Sequence, residues 1–421
     1  MTMIVRIELG VLELELPDRP TAAMTDLALA KEMARLARTA FVSACGQIES
    51  DLLAERTCPS CGGRLVVRDV DYRRVVMLSG PVSVPVRRLA CVECDARLSP
   101  LAARLPRSRH TLPVIQRALL LATEVGYAKS SHLLAHLTGI PVSPEQIRRL
   151  AIAESAHVDS GLEHETAMLF SHGICPDGCI ERTDSDTVVV AMDGGLVADR
   201  ATGASFEARV GVVWCGVATV SKDRRVLLAR RGHAGLETTT QFARHMSTLA
   251  IKAGMLTAGR TVVIGDGAGW IRRTARDWFP GAVYVLDLYH LKHRIGEVLG
   301  QDGDEQVRAD VIAACLRGRP DEAADLLRGF DPGPDARCRL LHQRLIAYIE
   351  INAEGIRNYT RTDLFGSGSV EKAVDVIVSR RFKCRGMSWL RPGAQGMLKL
   401  KLLRFNDDWD THWAGRFSEA A

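Results

Sequence analysis

Thr187-Val188-Val189-Val190-Ala191-Met192-Asp193-Gly194-Gly195 decides the fold: an apolar run closed by an acid and two glycines. A short apolar run bounded by turn residues reads as a strand buried on both faces. The same grammar returns at Val262-Val263-Ile264-Gly265-Asp266-Gly267. Each acid would stand at the carboxyl end of a buried strand, where open α/β sheets place their ligands. If the two strands are neighbours, the carboxylates of Asp193 and Asp266 converge, and a cation is needed to make that tolerable. The plainer alternative is that each acid caps a following helix. Gly194, Gly195, Gly265 and Gly267 leave room for a bulky substrate backbone.

Outward from these blocks, residues 208–218 and 225–229 are further strand candidates, with a turn at Lys222-Asp223. Helix is expected at 237–253, strand at 261–264, helix at 270–278, strand at 282–286 and helix at 288–299. Three hairpin-like strands followed by alternating strand and helix indicate a mixed α/β layer fold. Residues 303–357 show no strand pattern and read as a helical insertion, and the final helix is expected from Ser369. Upstream, 21–56 is helical through Leu27, Leu29, Met33, Leu36 and Phe41. Residues 111–170 are helical with a break at Gly139-Ile140-Pro141, and 172–186 is a linker. The expected segments are an arm and helix (1–56), a cysteine module (57–110), a helical domain (111–171), a core in two parts (186–300 and 363–421) and the insertion between them (301–362).

The chain has 421 residues, 47% apolar, 25% charged and 5% aromatic, with a net charge of +5. That composition excludes disordered and collagenous classes and suggests about three domains. Residues 1–15 lack the basic start and apolar core of a signal peptide. Nothing reaches the length of a bilayer span. The expected location is the cytoplasm, with no membrane partner.

Cys58-Pro59-Ser60-Cys61 and Cys91-Val92-Glu93-Cys94 form two Cys-x-x-Cys knuckles with 29 residues between them. Two such knuckles complete a closed four-sulfur site for one structural Zn²⁺, with a hairpin from strands 64–69 and 73–89 filling the loop. Unpaired buried cysteines, or a redox pair, are the alternative. Cys175 and Cys179, spaced one residue wider, read as plain thiols, with a second metal contact as the alternative. Residues 64–109 carry ten Arg against four acids, which suits either phosphate contact or a solvated face. Further on, Ser143-Pro144-Glu145-Gln146 has the grammar of a helix start after a Gly turn. That makes 130–150 a helix-turn-helix candidate in which Gln146, Arg148 and Arg149 face outward toward DNA.

Gly265-Asp266-Gly267-Ala268-Gly269-Trp270 has the outline of a dinucleotide fingerprint. However, Trp270 fills the place of its last glycine, and Asp266 would oppose a pyrophosphate. A third acid, Glu371, lies in Gly368-Ser369-Val370-Glu371, at the head of a helix that Ser369 would cap; a favourable helix-dipole acid is the plain reading. Residues 372–404 that follow hold nine Lys+Arg and one acid. Arg380, Arg381, Lys383 and Arg385 in that run are DNA-contact candidates, interleaved with Phe382, Met387 and Trp389.

At these residues the chain resembles the DDE transposases of bacterial insertion sequences, in the Mutator-like group and most closely the ISKra type. The resemblance rests on 190–195, 265–271, Leu286-Asp287-Leu288-Tyr289-His290, Gly366 through Trp389, and the ending from Leu403 to Trp413. It implies an RNase H-like core of mixed sheet with an all-helical insertion; the zinc-ribbon-like cysteine module ahead of the core also fits the resemblance, while the helix-turn-helix region rests on the residues at 130–150 alone. It also implies Asp193, Asp266 and Glu371 as the catalytic triad, and Asp287 with His290 as the group's Asp-x-x-His pair. Two Mg²⁺ or Mn²⁺ ions would serve phosphodiester cleavage and strand transfer. The partners would be terminal inverted repeats and target DNA, bound by a homodimer or higher oligomer that is nucleoid-associated when on DNA. His233, near the exit of the third strand, is a further cleft candidate. A zinc-containing DNA-binding regulator derived from a transposase, or a metal-dependent RNase H-like nuclease, would use the same residues.

Overall fold

The computed structural model describes residues 14–16, 18–54, 56–158, 161–176, 186–221, 224–299, 305–362 and 368–419. Most of the amino-terminal arm, Cys179, the turn at Lys222-Asp223, the side chain of Ser369 and Gly366-Ser367 lie outside them. The chain divides into two compact units, Met1–Leu150 with Arg416–Ala421, and Ala151–Gly415. The division falls inside the helical stretch 111–171.

In the first unit, α1 (Ala22–Leu52) begins at Thr21, whose hydroxyl accepts from the Met24 amide at 3.3 Å. The helix buries its later half. Leu36 and Cys45 are buried, whereas Leu27, Leu29 and Met33 of the expected stripe are exposed. Two long strands follow, β1 (Leu65–Met77) and β2 (Gly80–Cys91), with a short β3 (Arg97–Leu98), in the antiparallel order β1-β2-β3. The hairpin turns at Leu78-Ser79, not near residue 70 as expected, because Gly80 adopts φ 110°, open to glycine alone. Val82, Val84 and Val86 of β2 alternate inward and pack with Cys45 and with Leu101 of α2 (Pro100–Arg104). Then come α3 (Leu112–Glu124), α4 (Tyr127–Thr138) and α5 (Pro144–Ser155). Gly139, at φ 70°, ends α4 in a left-handed cap.

The second unit opens with α6 (Gly161–His172) and is built on a five-stranded sheet. Its early strands are β4 (Thr187–Ala198), β5 (Ser205–Trp214), the side hairpin β6 (Val217–Ser221) and β7 (Arg224–Leu227), and β8 (Arg231–Gly235). Then follow α7 (Thr239–Lys252), β9 (Arg260–Gly265), α8 (Gly269–Trp278), β10 (Val283–Leu286) and α9 (Leu288–Leu299). The sheet order is β10-β9-β4-β5-β8. β4, β5 and β8 are antiparallel neighbours, while β9 and β10 run parallel to β4. The third antiparallel strand is therefore β8, and the expected strand at 225–229 belongs to a separate two-stranded hairpin. Val190, Met192 and Val263 bury one face of the sheet against Phe242 and Met246 of α7 and Ile271 of α8.

The insertion is helical as expected: α10 (Glu305–Leu316), α11 (Pro320–Arg328), α12 (Ala336–Ile351) and α13 (Ala353–Arg357). The chain returns through α14 (Gly368–Val374), a π-helical turn (Asp375–Ser379) and α15 (Arg380–Phe382). The helix starting near Ser369 is not the last, since α16 (Arg391–Phe405) and α17 (Trp409–Glu419) follow it. No helix among the described residues is long and apolar enough to cross a membrane.

Candidate active site and metal centres

Strand register assembles the acidic site. Met192 of β4, Gly265 of β9 and Leu286 of β10 lie side by side across the parallel ladders. The next residue on each strand is an acid: Asp193, Asp266 and Asp287. The Asp287 amide continues the ladder by donating to the Gly265 carbonyl at 2.8 Å. β4 does not stop at Asp193 as expected; β5 carries it on, pairing Asp193 with Val210 and Ala198 with Ser205. The parallel pairing with β9 does stop at Met192, so Asp193 still stands where the ladder opens. Gly265 is required at that level, because a Cβ there would collide with Ile271 of α8.

Each carboxylate is held locally. Asp193 is buried and accepts from the Gly194 amide at 2.7 Å. Asp266 accepts from the Ala268 amide at 2.8 Å, and its own carbonyl accepts from the Tyr348 hydroxyl at 2.7 Å. Asp287 is 1% exposed and caps α9, accepting from the amides of Tyr289 (3.2 Å) and His290 (3.4 Å). That is the capping role the plain reading gave such an acid, but here it accompanies a second contact: the His290 ring, whose Nδ1 lies 2.5 Å from Asp287 Oδ2. Glu371, in the first turn of α14, brings Oε1 to 3.5 Å from the same Nδ1. α14 packs against β4 and β5, and the π-helical turn after it comes so close to β4 that a Cβ on Gly195 would meet Val378 at 2.9 Å.

The electrostatics follow from this crowding. Burial pushes the Asp193 carboxyl up to about 6, and the charges of Asp266 and Asp287 add to it against the Gly194 amide and His290. Burial works against a charged His290. Its hydrogen bond to Asp287 and the charges of Asp193, Asp287 and Glu371 outweigh that and raise it to about 9. An imidazolium therefore sits among the acids as their counter-charge. Asp287, His290 and Glu371 present ligand atoms within 4.8 Å of one another. Several carboxylate oxygens around one cleft are a hard-donor set suited to divalent cations.

The four cysteines of the first unit also meet. Cys58 Sγ lies 3.7 Å from Cys94 Sγ, and Cys61 Sγ lies 3.5 Å from Cys91 Sγ. A disulfide needs about 2 Å, whereas sulfurs at about 2.3 Å from a tetrahedral ion sit about 3.8 Å apart. The amides of Gly63 and Glu93 point at Cys61 Sγ and Cys91 Sγ, each at 3.4 Å, as knuckle turns do. The Ser60 amide holds the Cys58 thiol down to about 6. Against the Gly63 amide, the neighbouring sulfurs of Cys94 and Cys91 push Cys61 up to about 12. Four sulfurs this close cannot all ionise without a cation, and the cluster can hold a metal such as zinc.

The expected nucleic-acid contacts are less uniform. Ser143 caps α5 as its sequence suggests, accepting from the Gln146 amide at 3.2 Å. Gln146 and Arg148 are half-buried and Arg149 is exposed. Both arginines bond to Glu145, at 2.8 and 2.9 Å. Arg380 is exposed but pairs with Asp375 at 2.6 Å, while Lys383 and Arg385 are exposed. Arg381 must be removed from the contact set. It is 1% exposed, with its guanidinium 4.7 Å from the Trp389 ring centre and Nη1 3.4 Å from Met387 Sδ. Cys175 is exposed and belongs to none of the clusters found among the described residues. A further cluster, His233 with Glu237 and His245, includes two residues the sequence reading missed. The i, i+4 spacing of the first two was the available signal.

The fold and its acidic end thus define a mixed α/β protein with a carboxylate–histidine centre and a separate four-cysteine cluster. The comparisons place it further. Residues 190–416, more than half of the chain, match the model of the uncharacterised protein family UPF0236, and the chain belongs to that family. The matched region holds Asp193, Asp266, Asp287, His290 and Glu371. No curated protein matches the chain.

Proposed function

We propose that this chain is a DNA transposase that binds the terminal repeats of an insertion sequence, cuts at them and joins the ends to target DNA. The observation that carries the reading is the row of Asp193, Asp266 and Asp287 at one level of three adjacent parallel strands, with Glu371 reaching the same cleft from α14. Three antiparallel strands followed by two parallel ones on the far side of the first is the order of an RNase H-like sheet, which supports the same reading.

Asp193, Asp266 and Glu371 would hold two Mg²⁺ or Mn²⁺ ions. Bound there, such ions supply a water of lowered pKa and a Lewis acid for the leaving oxygen. The chain's own groups do the rest. Asp287 engages His290 at Nδ1, fixing the ring and leaving the Nε2–H to a non-bridging phosphate oxygen. Exposed Lys383 and Arg385 follow in sequence and would meet phosphate.

In the first unit, a cavity of about 480 Å³ is lined by Arg73, Arg74, Arg107 and Arg109, with exposed Tyr72. It supports phosphate contact by the zinc-bearing module; α4 and α5 would read the repeat. Joining two ends requires at least a dimer on DNA.

The deciding experiment incubates the full chain with a terminal-repeat duplex and Mn²⁺, beside Asp193→Asn and Glu371→Gln. Cleavage and joining lost in both variants supports the proposal. Binding without cutting by the unmutated protein would make it a regulator, cutting without joining a nuclease, and unimpaired cutting by both variants would remove the acids from the mechanism.

A further inference from the structure

At the far edge of the same sheet, three side chains turn ligand atoms toward one point. His233 Nε2 is 2.5 Å from Glu237 Oε1, His245 Nδ1 is 3.1 Å from His233 Nε2, and His245 Nδ1 is 3.3 Å from Glu237 Oε1. The side chains are 14%, 12% and 5% exposed for His233, Glu237 and His245.

The backbone is arranged to hold them there. His233 is in register with Gly211 of β5, whose missing Cβ would meet Met246 and Phe242. Residues in register share a face of the sheet, so His233 faces α7, the helix that carries His245. Glu237 lies between β8 and α7, and its segment is clamped at three places. Arg209 Nη1 donates to the Glu237 carbonyl at 2.6 Å, and the Leu236 amide donates to Gln395 Oε1 at 3.0 Å. Thr238 caps α7, accepting from the Gln241 amide at 3.3 Å. Gly235 is equally specific, because a Cβ there would overlap the Glu237 carboxylate. On its other side β8 is fixed by Asn406, whose side-chain amide pairs with both the amide (2.8 Å) and the carbonyl (3.0 Å) of Gly232.

A hydrogen-bonded trio fits this geometry poorly. Both imidazole nitrogens face the same carboxylate oxygen and each other. If both carry protons, two N–H groups crowd onto one oxygen. If one is bare, its lone pair opposes the carboxylate at hydrogen-bond distance. A cation removes the conflict, since all three atoms then direct lone pairs at it. With bonds of about 2.0–2.1 Å, donors around a tetrahedral ion sit about 3.3 Å apart, close to the two longer separations. Two imidazole nitrogens and one carboxylate oxygen suit borderline first-row ions, whereas Mg²⁺ prefers oxygen.

We propose that His233 Nε2, His245 Nδ1 and one Glu237 carboxylate oxygen bind a divalent first-row transition ion, Zn²⁺ being the best matched, that ties β8 to α7. Three protein ligands leave a coordination position for water or a small anion. The site is separate from the acidic cleft and stands whether or not the chain is a transposase.

The test uses metal-stripped full chain dialysed against Zn²⁺ in excess Mg²⁺, which competes for the acidic cleft, where His290 is protonated and bonded to Asp287 in the ion-free protein. Metal analysis should give about two zinc per chain, falling to about one in His245→Gln and in Glu237→Gln, with Asp193→Asn unchanged. A Cys58→Ser/Cys61→Ser protein should still bind Co²⁺, with ligand-field bands but no thiolate charge transfer, and about 100-fold or more weakly once His245→Gln is added. Limited proteolysis of each metal-free variant beside the metal-free wild type checks that the second unit, which carries the site, stays folded. Equal zinc in the wild type and in both ligand variants overturns the proposal. So does failure of the cysteine-substituted protein to bind Co²⁺ with nitrogen-type bands, an outcome that needs no substitution in the site itself.

Discussion

The four-cysteine cluster and the carboxylate centre both gather metal-ligating side chains, and they do it in opposite ways. The sulfurs come from two short knuckles of one hairpin module, with amides at Gly63 and Glu93 aimed at them. Two of these cysteines are buried and two exposed, yet all four sulfurs converge within 4.8 Å of one another, a donor set that would leave an ion no open position, the pattern of a structural site. The acids come from three strands and a helix spread between residues 193 and 371, and their arrangement exists only once the sheet order is set. Their donors exceed what one ion needs, and a histidine stands among them. A site assembled from distant elements with surplus, mutually repelling charge costs stability, and such a cost is typical of a centre kept for chemistry.

The strongest way to break the contrast is at the acids. Asp266→Asn should leave the fold intact and lower cleavage by about three orders of magnitude, the rate equivalent of the several kcal/mol that metal-assisted charge stabilisation supplies. Cleavage within tenfold of the wild type would end the division between structural and chemical sites. Next, Cys91→Ala or a strong zinc chelator should unfold the module around Cys58, Leu65, Leu89 and Cys91, a core too small to stand without its ion. Limited proteolysis should then cut within residues 57–98 while the sheet of the second unit resists. Protection throughout would show that the sulfurs do not hold the module.

A smaller effect is expected at His290. Its ring is positioned by Asp287 and would touch phosphate, so His290→Gln should slow cleavage by about 10- to 100-fold, the range for positioning groups beside a metal, and weaken DNA binding less. A loss as large as that of Asp266→Asn would promote the histidine to the metal set.

How much of this was legible before the structure depends on range. The knuckles, the Ser143 cap and the helical insertion were readable because their signals lie within a few residues. Asp193 and Asp266 were readable as two separate strand-end acids, and Asp287 only through the resemblance that pairs it with His290; the convergence of the three needed the order β10-β9-β4, which no local pattern encodes. Asp193 was expected at a strand end, and the strand runs on because an antiparallel partner was available on its other side. Arg381 was misjudged because a cluster of basic residues carries no mark of which one is buried; Met387 and Trp389, already noted as interleaved, are what it packs against. Glu237 and His245 were missed because their meeting with His233 depends on a strand, a loop and a helix folding onto one another.

The mildest prediction concerns stability, and it goes in the direction opposite to the activity. In the metal-free protein the Asp193 carboxyl is raised from its ordinary 3.8 to about 6 by burial and by the charges of Asp266 and Asp287. A group raised in the folded state contributes stability below its unfolded pKa and loses that contribution as pH rises through the folded value. Asp193 therefore weakens the ion-free fold progressively between about pH 4 and pH 6, by on the order of 3 kcal/mol at neutrality. Asp193→Asn removes the charge and keeps the shape, so it should raise Tm at pH 7.5 in EDTA while leaving Tm at pH 4 nearly unchanged. With saturating Mn²⁺ the difference should shrink or reverse, because only the wild-type carboxylate gains from the ion. The cysteine substitutions should show the contrary order, destabilising most when zinc is present to be lost. If the Asp193→Asn variant instead melts below the wild type in EDTA at neutral pH, the acid is held by partners that outweigh its neighbours' repulsion, and the centre is as structural as the one built of sulfur.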